Sequence, residues 1–406
     1  MTITTERLKA KLEEHLDYIL TARRHLHENP EISNQEYKTA EFIRGEIEKA
    51  GLSYRTRNTS TVAFLEGGAG PGQTILYRTD IDALPMAEEP LNNAGKAKVA
   101  VSKNAGAAHT CGHDMHTAMA LGVMKVLAEL RDEIRGRVIF CFEDGEETYI
   151  GPTPDVDTEH SAGAIINLLQ GEQIDACYGI HVYVGVESGK FSLDGGPRMA
   201  GINKFEVTIT GKSGHGSRPD QSINPVSAAS YAIANLGSAW VNEIDPTKTV
   251  TLSVCHFEGG SLFNVIPDTA FFSGSMRFFD TAEGKKGEAA LYRIVNGTAE
   301  MFGCSADVLT EFMGASVSNP DMAARFRDSV AKACGPEALA SCGPWFASET
   351  FNYYLDRWPG ALAFVGIADR EKGTDAPHHN AKFEVDEDAI PVGVLGTLQI
   401  IVDFLA

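Results

Sequence analysis

The densest group of potential metal ligands in the chain lies at residues 109–116, which read HTCGHDMH. Three imidazoles, one thiol and one carboxylate fall within this segment. Because only Gly112 separates Cys111 from His113, the backbone can turn tightly enough to bring thiolate sulfur and imidazole nitrogen to one centre. A Cys-x-His pair alone is weak evidence, since a surface histidine beside a buried cysteine is common. The prediction of a metal site therefore depends on ligands from elsewhere in the chain.

Further candidate ligands follow apolar segments that are typical of buried β-strands. The candidates are Asp80, Glu146, Glu147, His181 and one member of the adjacent pair His378-His379. Taken singly, an acidic loop is ordinarily solvated, and a histidine on an apolar strand is ordinarily a core residue. However, ligand-binding residues of open α/β sheets collect at the carboxyl ends of strands. Together these residues place thiol, imidazole and carboxylate groups at four strand ends of one sheet, and one of the adjacent glutamates remains available for proton transfer.

The pattern of apolar segments predicts an α/β layer around these residues. Residues 137–142 form a continuous apolar strand, which is typical of a sheet covered by helices on both faces. The segment after the ligand cluster, residues 117–130, is predicted to be a helix, and another helix is predicted from Ile390 to the end. The Gly-rich segment 67–72 leads into an apolar strand and not into a helix, which favours a turn over a phosphate-binding loop.

The pattern changes in the middle of the chain, where a second unit is predicted. Between residues 204 and 312 the predicted order is strand, helix, strand, strand, helix, strand, which is that of the ferredoxin-like unit. We therefore predict a discontinuous catalytic, metal-binding domain of residues 1–198 and 314–406. Residues 199–313 are predicted to form an inserted α+β domain that acts as a lid and as the interface of a homodimer, because its sheet edge and helices are available for symmetric pairing.

Composition and charge limit the possible partners and compartments. The net charge of −20, from 35 basic and 55 acidic residues, argues against nucleic acid or an anionic membrane as a partner. The seven cysteines include no Cys-x-x-Cys pair, and the N-terminal amphipathic helix contains no signal-peptide core. No apolar run approaches the ~20 residues that cross a membrane. We therefore expect a cytoplasmic protein with reduced thiols.

An ordered series of motifs runs along nearly the whole chain. The motifs are RHLHENPE (24–31), RTDIDALP (78–85), HTCGHDMH (109–116), Glu146-Glu147, GIHV (179–182), GKSGHG (211–216) and NVIPD (264–268). In this order they resemble the dinuclear-metal amidohydrolases of the aminoacylase and carboxypeptidase G2 type. The branch they resemble contains hippurate hydrolase and indole-acetyl-amino-acid hydrolase. The resemblance implies an α/β metallopeptidase-like domain with a mixed central sheet flanked by helices, together with a ferredoxin-like lid.

The resemblance also implies roles for individual residues. The implied ligands of two divalent ions per subunit (zinc, manganese, cobalt or nickel) are Cys111, His113, Glu147, His181 and His379. Glu146 would be the general base. Asp80 would orient a metal-binding side chain without binding the metal itself. His215 would reach across a dimer to stabilise the developing oxyanion. Asn264 and Arg277 match positions that bind the α-carboxylate of the substrate.

Three segments depart from the pattern of that branch. Residues 142–145 read FEDG where FQPA is usual, and residues 349–351 read ETF where EDF is usual. The segment 148–162 is longer than the usual Gly-rich run. None of these departures removes an implied ligand. All three lie where substrate contacts are expected, so an unusual substrate is expected.

The leading hypothesis is a metal-dependent amidohydrolase that removes the acyl group from small N-acyl amino acids. A dipeptidase or carboxypeptidase on the same site is the alternative, because only the leaving group differs. A third enzyme class would use Cys111 as a nucleophile with a histidine base, but the adjacent glutamates and distant histidines would then be idle. A binding protein that had lost the chemistry is disfavoured, since Glu146 and every implied ligand are present.

Overall fold

Helices and strands alternate along most of the chain in this computed structural model, which describes residues 3–148 and 159–406. The helices of this part are α1 (Thr5–Glu28), α2 (Tyr37–Lys49), α3 (His113–Glu129), α4 (Ser161–Leu168), α5 (Pro225–Ala239), α6 (Thr281–Met301), α7 (Pro320–Cys334), α8 (Asn352–Leu355) and α9 (Ile390–Leu405). The strands are β1 (Ser53–Arg57), β2 (Ser60–Glu66), β3 (Thr74–Asp80), β4 (Arg137–Glu143), β5 (Ala176–Glu187), β6 (Phe191–Ser192), β7 (Gly196–Met199), β8 (Gly201–Thr210), β9 (Gly214–His215), β10 (Val250–Glu258), β11 (Val265–Ile266), β12 (Thr269–Phe278), β13 (Ser305–Met313), β14 (Ser316–Ser318), β15 (Leu339–Ala340) and β16 (Gly360–Ala368).

A mixed central sheet contains strands in the order β1-β2-β4-β3-β5-β16-β6-β15. β3 pairs in parallel with both β4 and β5, and β5 pairs in parallel with β16. β2 is antiparallel to both β1 and β4. The central strands β3, β4 and β16 are almost fully buried, which explains why their sequences read as continuous apolar runs. The predicted mixed sheet is confirmed.

Helices cover both faces of this sheet, because alternate side chains of each strand point to opposite layers. Tyr77 of β3 packs in a core cluster with α1, α3 and α9. Its neighbour Leu76 packs on the other face, in a cluster that includes Ile165 of α4 and Tyr354 of α8. α3 is buried on nearly all sides because it lies against β3 and contacts both α1 and α9. This burial gives the first residues of α3 a firm position at the edge of the sheet.

A second, antiparallel sheet has the strand order β10-β12-β8-β13. α5 and α6 pack on it around a separate core cluster that includes Phe205, Leu236, Phe272 and Leu291. The chain order β8-α5-β10-β12-α6-β13, with the short β9 and β11 between these elements, is the predicted β-α-β-β-α-β arrangement. That this unit acts as a lid or as a dimer interface stays a prediction.

α9 differs from what the composition of the chain led us to expect. The helical segment Glu387–Leu405 is long and apolar enough to cross a membrane, although the sequence analysis found no run of that length. However, 78% of this segment is buried inside the protein, where α9 contacts α1, α3 and α7. Its apolar character is therefore explained by its position in the core of the larger sheet layer.

Candidate metal centre

The register of the central strands brings several candidate residues to one level of the sheet. Asp80 at the end of β3 is opposite Glu143 at the end of β4. β5 is aligned so that Gly179 is opposite Arg78 of β3, and His181 therefore lies level with Asp80. Because the carboxyl ends of these parallel strands meet at one edge, the segment after β4 also begins there. That segment contains Glu146 and Glu147 in a short 3₁₀ turn.

Gly112 places Cys111 and His113 at the same edge. Its φ of 96° is in the left-handed region, and helix α3 begins at the next residue, His113. A Cβ atom at position 112 would lie 2.2 Å from Cγ2 of Val182 on β5, so a side chain there would force the two segments apart. The glycine thus provides both the turn and the close approach of α3 to β5. As expected from the sequence, the two ligand types converge.

His379 joins the site from a loop after β16. It is a non-glycine residue with φ of 60°, and its backbone N–H donates to the carbonyl of Thr110 at 2.9 Å. This bond ties the loop to the segment that carries Cys111. The His379 Nε2 atom lies 3.3 Å from Oε1 of Glu147. A left-handed backbone is uncommon for histidine, and at His379 the hydrogen bond to Thr110 holds it in place.

The candidate ligand atoms form overlapping sets around one point. In each set, the ligand atoms lie within 4.8 Å of one another. Three of the sets are Cys111-His113-His181, Cys111-Glu147-His379 and His113-Glu146-Glu147, and a fourth consists of Asp80, His113 and His116. Cys111 Sγ is 3.5 Å from His181 Nε2, and His113 Nε2 is 3.8 Å from Glu147 Oε1. The structure therefore brings together all five residues that the resemblance implied as ligands, and Glu146 with them.

Hydrogen bonds fix the orientation of the two buried imidazoles. His113 Nδ1 lies 3.0 Å from the carboxylate and 3.0 Å from the carbonyl of Asp82, so it must carry the proton. His181 Nδ1 donates to the carbonyl of Val182 at 2.6 Å. In both rings the Nε2 lone pair is consequently free to face the centre, which is the arrangement found in metal-ligating histidines.

His116 is held in a different way. Its Nδ1 donates to Asp80 at 2.6 Å, and its Nε2 accepts the backbone N–H of Val182 at 2.7 Å. Both ring nitrogens are occupied, so His116 links α3 to β3 and β5 and is not free to bind a metal.

The orienting role expected of Asp80 belongs in part to a residue that the sequence analysis missed. Asp82, and not Asp80, contacts Nδ1 of His113; it also accepts hydrogen bonds from Ser33 and from the backbone of Glu147. Asp80 instead holds His116 and Arg78, and its Oδ2 is 3.7 Å from His113 Nε2. Asp80 is the last residue of β3 and Asp82 follows two residues later, so the repeated carboxylate was the signal available in the sequence.

The residues present fit a transition-metal site. His113 Nε2 and Glu147 Oε1 are buried, and neither atom has a hydrogen-bond partner in the part of the chain that the structure describes. Leaving such groups unpaired is costly unless a ligand satisfies them. A donor set of thiolate, imidazole and carboxylate suits zinc, manganese, cobalt or nickel better than magnesium or calcium.

A cavity of about 300 Å³ opens in front of these donors. Its lining includes Glu146, and the half-buried Arg277, which donates to the hydroxyl of Ser348. Burial and the neighbouring carboxylates of Glu349 and Glu147 raise the pKa of Glu146 well above its usual value. The lining also includes apolar side chains, among them Trp345. The cavity thus offers a proton acceptor, a cation and an apolar surface beside one donor cluster.

Two predicted residues lie elsewhere in the chain. His215 on β9 is paired with Val265 on β11, and the backbone of Gly216 bonds to Asn264. His215 and Asn264 are therefore close to each other, but both are exposed, and neither is among the described residues that line the cavity. Within one chain, only Arg277 of the predicted carboxylate-binding pair reaches the cavity.

The expectation that the unusual segments contact substrate is wrong for two of them. Glu143 and Thr350 are fully buried and contact the guanidinium of Arg78 instead of lining the cavity. The physical reason is their position: Glu143 ends a central strand, and the 349–351 segment packs behind it. Most of the third segment, 148–162, lies outside the described residues.

Comparison with known proteins is consistent with this geometry. A family model described as Peptidase family M20/M25/M40 matches residues 76–402. IAA-amino acid hydrolase ILR1-like 4 of Arabidopsis thaliana is 33% identical over 391 residues, which cover 95% of this chain and 85% of the relative. The N-acyl-L-amino acid amidohydrolase of Geobacillus stearothermophilus is 34% identical over 320 residues, covering 79% of this chain and 82% of the relative.

Two further matches extend over almost the whole chain. Thermostable carboxypeptidase 2 of Saccharolobus solfataricus is 31% identical over 408 residues and covers 98% of both chains. The crystal structure of the Bacillus subtilis YXEP protein, described as a dinuclear metal binding peptidase from the M20 family, has a TM-score of 0.80 at 25% identity, covering 97% of this chain and 99% of that one. The chain therefore belongs to peptidase family M20/M25/M40, which confirms the family that its motifs indicated.

Proposed function

We propose that this protein is a metal-dependent amidohydrolase that cleaves the amide bond of N-acyl amino acids. The observation that carries the proposal is the arrangement around one cavity: overlapping donor sets, a carboxylate at Glu146 and a guanidinium at Arg277. Cys111, His113, Glu147, His181 and His379 would hold two divalent ions. When bound, such ions polarise a carbonyl and make water a stronger nucleophile at neutral pH.

The residues of this chain supply the other parts of the reaction. Glu146 takes a proton from the attacking water and gives it to the departing amine. The backbone N–H of Thr350 donates to Glu146 Oε1 at 3.1 Å and orients this carboxylate. Arg277 binds the α-carboxylate of the leaving amino acid, since a planar guanidinium matches a carboxylate. The apolar wall of Met199, Met313 and Trp345 accommodates the acyl group.

A panel of N-acyl amino acids, dipeptides and plain amides, assayed with zinc, manganese, cobalt and nickel, tests the function. Hydrolysis of N-acyl amino acids that stops on chelation and returns with metal is expected. Faster cleavage of dipeptides or of C-terminal residues would favour the alternative of a dipeptidase or carboxypeptidase, which the Saccharolobus relative also suggests. Hydrolysis that is unaffected by removing the metal would reject the proposed mechanism.

Arg277→Ala is expected to lower kcat/KM by roughly 30-fold to 4,000-fold. Losing a charged partner in a desolvated site costs ~2–5 kcal/mol, and ~1.4 kcal/mol corresponds to tenfold in rate. The measurement compares free N-acyl amino acids with their carboxyl-amidated counterparts in wild type and variant. The wild type should prefer the free acid, and the variant should lose that preference. Lys285, an exposed cation on α6, gives a matched control, because Lys285→Ala should leave the preference unchanged.

The positions of His215 and Asn264 support a homodimer in which both residues act on the partner's cavity. They lie together on the exposed β9–β11 ribbon, and next to them Phe263 is fully exposed. A second copy of the chain would cover this apolar side chain and bring the imidazole to the other active site.

Co-expression of His215→Ala and Glu146→Gln chains tests action across the dimer. Each variant alone should be nearly inactive. Mixed dimers should recover roughly a quarter of the wild-type sites, since about half of the dimers are mixed and each contains one competent site. Recovery is the expected result. Inactive mixtures that sedimentation shows to be mixed dimers would place the action of His215 within its own chain.

A cytoplasmic location is part of the proposal. All seven cysteines are free thiols, and most of them are buried or half-buried. Free thiols agree with a reducing compartment.

A further inference from the structure

Behind the proposed base lies a buried ionic network centred on Arg78. Arg78 is fully buried, and its guanidinium contacts three carboxylates, those of Asp80 at 2.9 Å, Glu143 at 2.8 Å and Glu349 at 3.0 Å. Glu143 also accepts a hydrogen bond from the hydroxyl of Tyr354 at 2.7 Å. A buried charge is tolerated only when its partners stay in place, so these groups hold one another in a narrow range of positions.

Thr350 connects this network to the cavity. Its hydroxyl accepts a hydrogen bond from Arg78 Nη2 at 2.7 Å and donates to Glu143 Oε1 at 2.6 Å. Its backbone N–H, on the same residue, donates to Glu146 Oε1 at 3.1 Å. The side chain of Thr350 is thus fixed by two charged partners, and its amide in turn fixes one oxygen of Glu146. Neither Glu143 nor Thr350 lines the cavity, so both can act only through other residues.

We propose that Glu143 and Thr350 form one positioning unit that holds the Glu146 carboxylate in the orientation required for proton transfer. This inference rests on the proposed function, in which Glu146 is the base. A carboxylate that is free to rotate presents the wrong oxygen to the water for part of the time, which lowers the rate of proton transfer without weakening substrate binding. Glu143 and Thr350 are positioning residues and not catalytic ones.

Because the Thr350 hydroxyl bonds to both Arg78 and Glu143, we expect the effects of substitutions at positions 143 and 350 to depend on each other. Glu143→Gln alone removes a carboxylate from Arg78. Thr350→Asp alone places a new carboxylate against Glu143, where the hydroxyl now lies 2.6 Å away, and the two charges repel. The double substitution restores the number of carboxylates around Arg78, and the amide at position 143 can donate to the carboxylate at position 350. The two positions are also those at which this chain departs from the usual FQPA and EDF segments.

The first test compares Thr350→Val with Thr350→Ser. Valine keeps the shape and the backbone N–H but removes the hydroxyl, whereas serine keeps the hydroxyl. For Val we expect kcat to fall roughly 10-fold to 100-fold with KM and metal content unchanged, and for Ser we expect kcat within about threefold of wild type. A crystal structure of Thr350→Val should show the Glu146 carboxylate rotated. Equal kcat for Val and wild type, or an unmoved Glu146, would overturn the inference.

The second test is a double-mutant cycle of Glu143→Gln and Thr350→Asp, with melting temperature measured for each variant. Each single variant should lose at least about tenfold in kcat, and the double variant should regain most of that loss, because coupled sites are not additive. Additive losses in folded variants would reject a shared unit. A failure of the proposed function can be distinguished from a failure of this inference. If the proposed function is wrong, the wild type will cleave no N-acyl amino acid. The crystal structure of Thr350→Val will still show whether Thr350 holds the Glu146 carboxylate.

Discussion

Glu146→Gln is expected to keep its metal and its fold while kcat falls by about 10²–10⁴-fold, the usual contribution of a positioned proton acceptor. The amide is nearly the same size as the carboxylate and can still face the backbone N–H of Thr350. It cannot accept a proton from water. Each property is measured separately. Metal analysis reports the bound metal, the melting temperature reports the fold, and steady-state kinetics on one N-acyl amino acid give kcat.

The adjacent Glu147 gives a matched control for this prediction. Its Oε1 atom belongs to two of the overlapping donor sets and has no hydrogen-bond partner among the described residues. Glu147→Gln should therefore lose metal, in contrast to Glu146→Gln. If Glu146→Gln retained near-normal kcat, or if the two variants lost metal equally, the division of roles between the adjacent glutamates would be incorrect.

Cys111→Ser and His113→Ala should both lose bound metal, and activity should fall to background. A thiolate and an imidazole are strong ligands for transition metals, and a serine hydroxyl at the same position remains protonated at neutral pH and binds weakly. Elemental analysis after dialysis, followed by an attempt to restore activity with excess metal, measures the loss. Partial rescue at high metal concentration is expected for Cys111→Ser, since the four donors that share sets with Cys111 remain.

Cys141→Ser is the control for the thiol substitution. Cys141 is fully buried on β4 in the core cluster beside Leu76 and does not belong to any of the donor sets of the described residues. We expect a lower melting temperature from the polar group in an apolar core, but full metal content. Unchanged metal occupancy in Cys111→Ser or His113→Ala would show that these residues are not ligands.

Local features of the sequence were sufficient to predict most of the fold. Buried parallel strands require continuous apolar runs, so β4 and β16 could be predicted from their composition. The alternation of β8 and the order of the middle elements likewise predicted the second sheet. α7 was not predicted, although Asn319 caps it and Pro320 begins it. Both residues are ordinary helix-start signals and were available in the sequence.

The candidate ligand residues could be proposed for a different reason. Cysteine and histidine separated by one glycine limit the possible chemistry, and strand ends limit where the remaining donors can lie. The sequence therefore indicated Cys111 and His113 together with the distant His181 and one of the pair His378-His379, and the resemblance to the family implied His379. It did not distinguish Asp80 from Asp82 as the residue that orients His113. Both lie at the end of the same strand, and only the packing of α3 against β3 determines which carboxylate reaches Nδ1 of His113.

By itself, the sequence determined the types of ligand, the elements that carry them and the family, because these depend on residue identity and on local spacing. Only the tertiary structure showed that Glu143 and Thr350, 207 positions apart, meet at the buried Arg78 instead of lining the cavity. It also placed His215 and Asn264 together on an exposed ribbon outside the cavity. Such contacts arise from the register of strands and the packing of distant segments, and no local pattern of residues encodes which buried charge a carboxylate will meet.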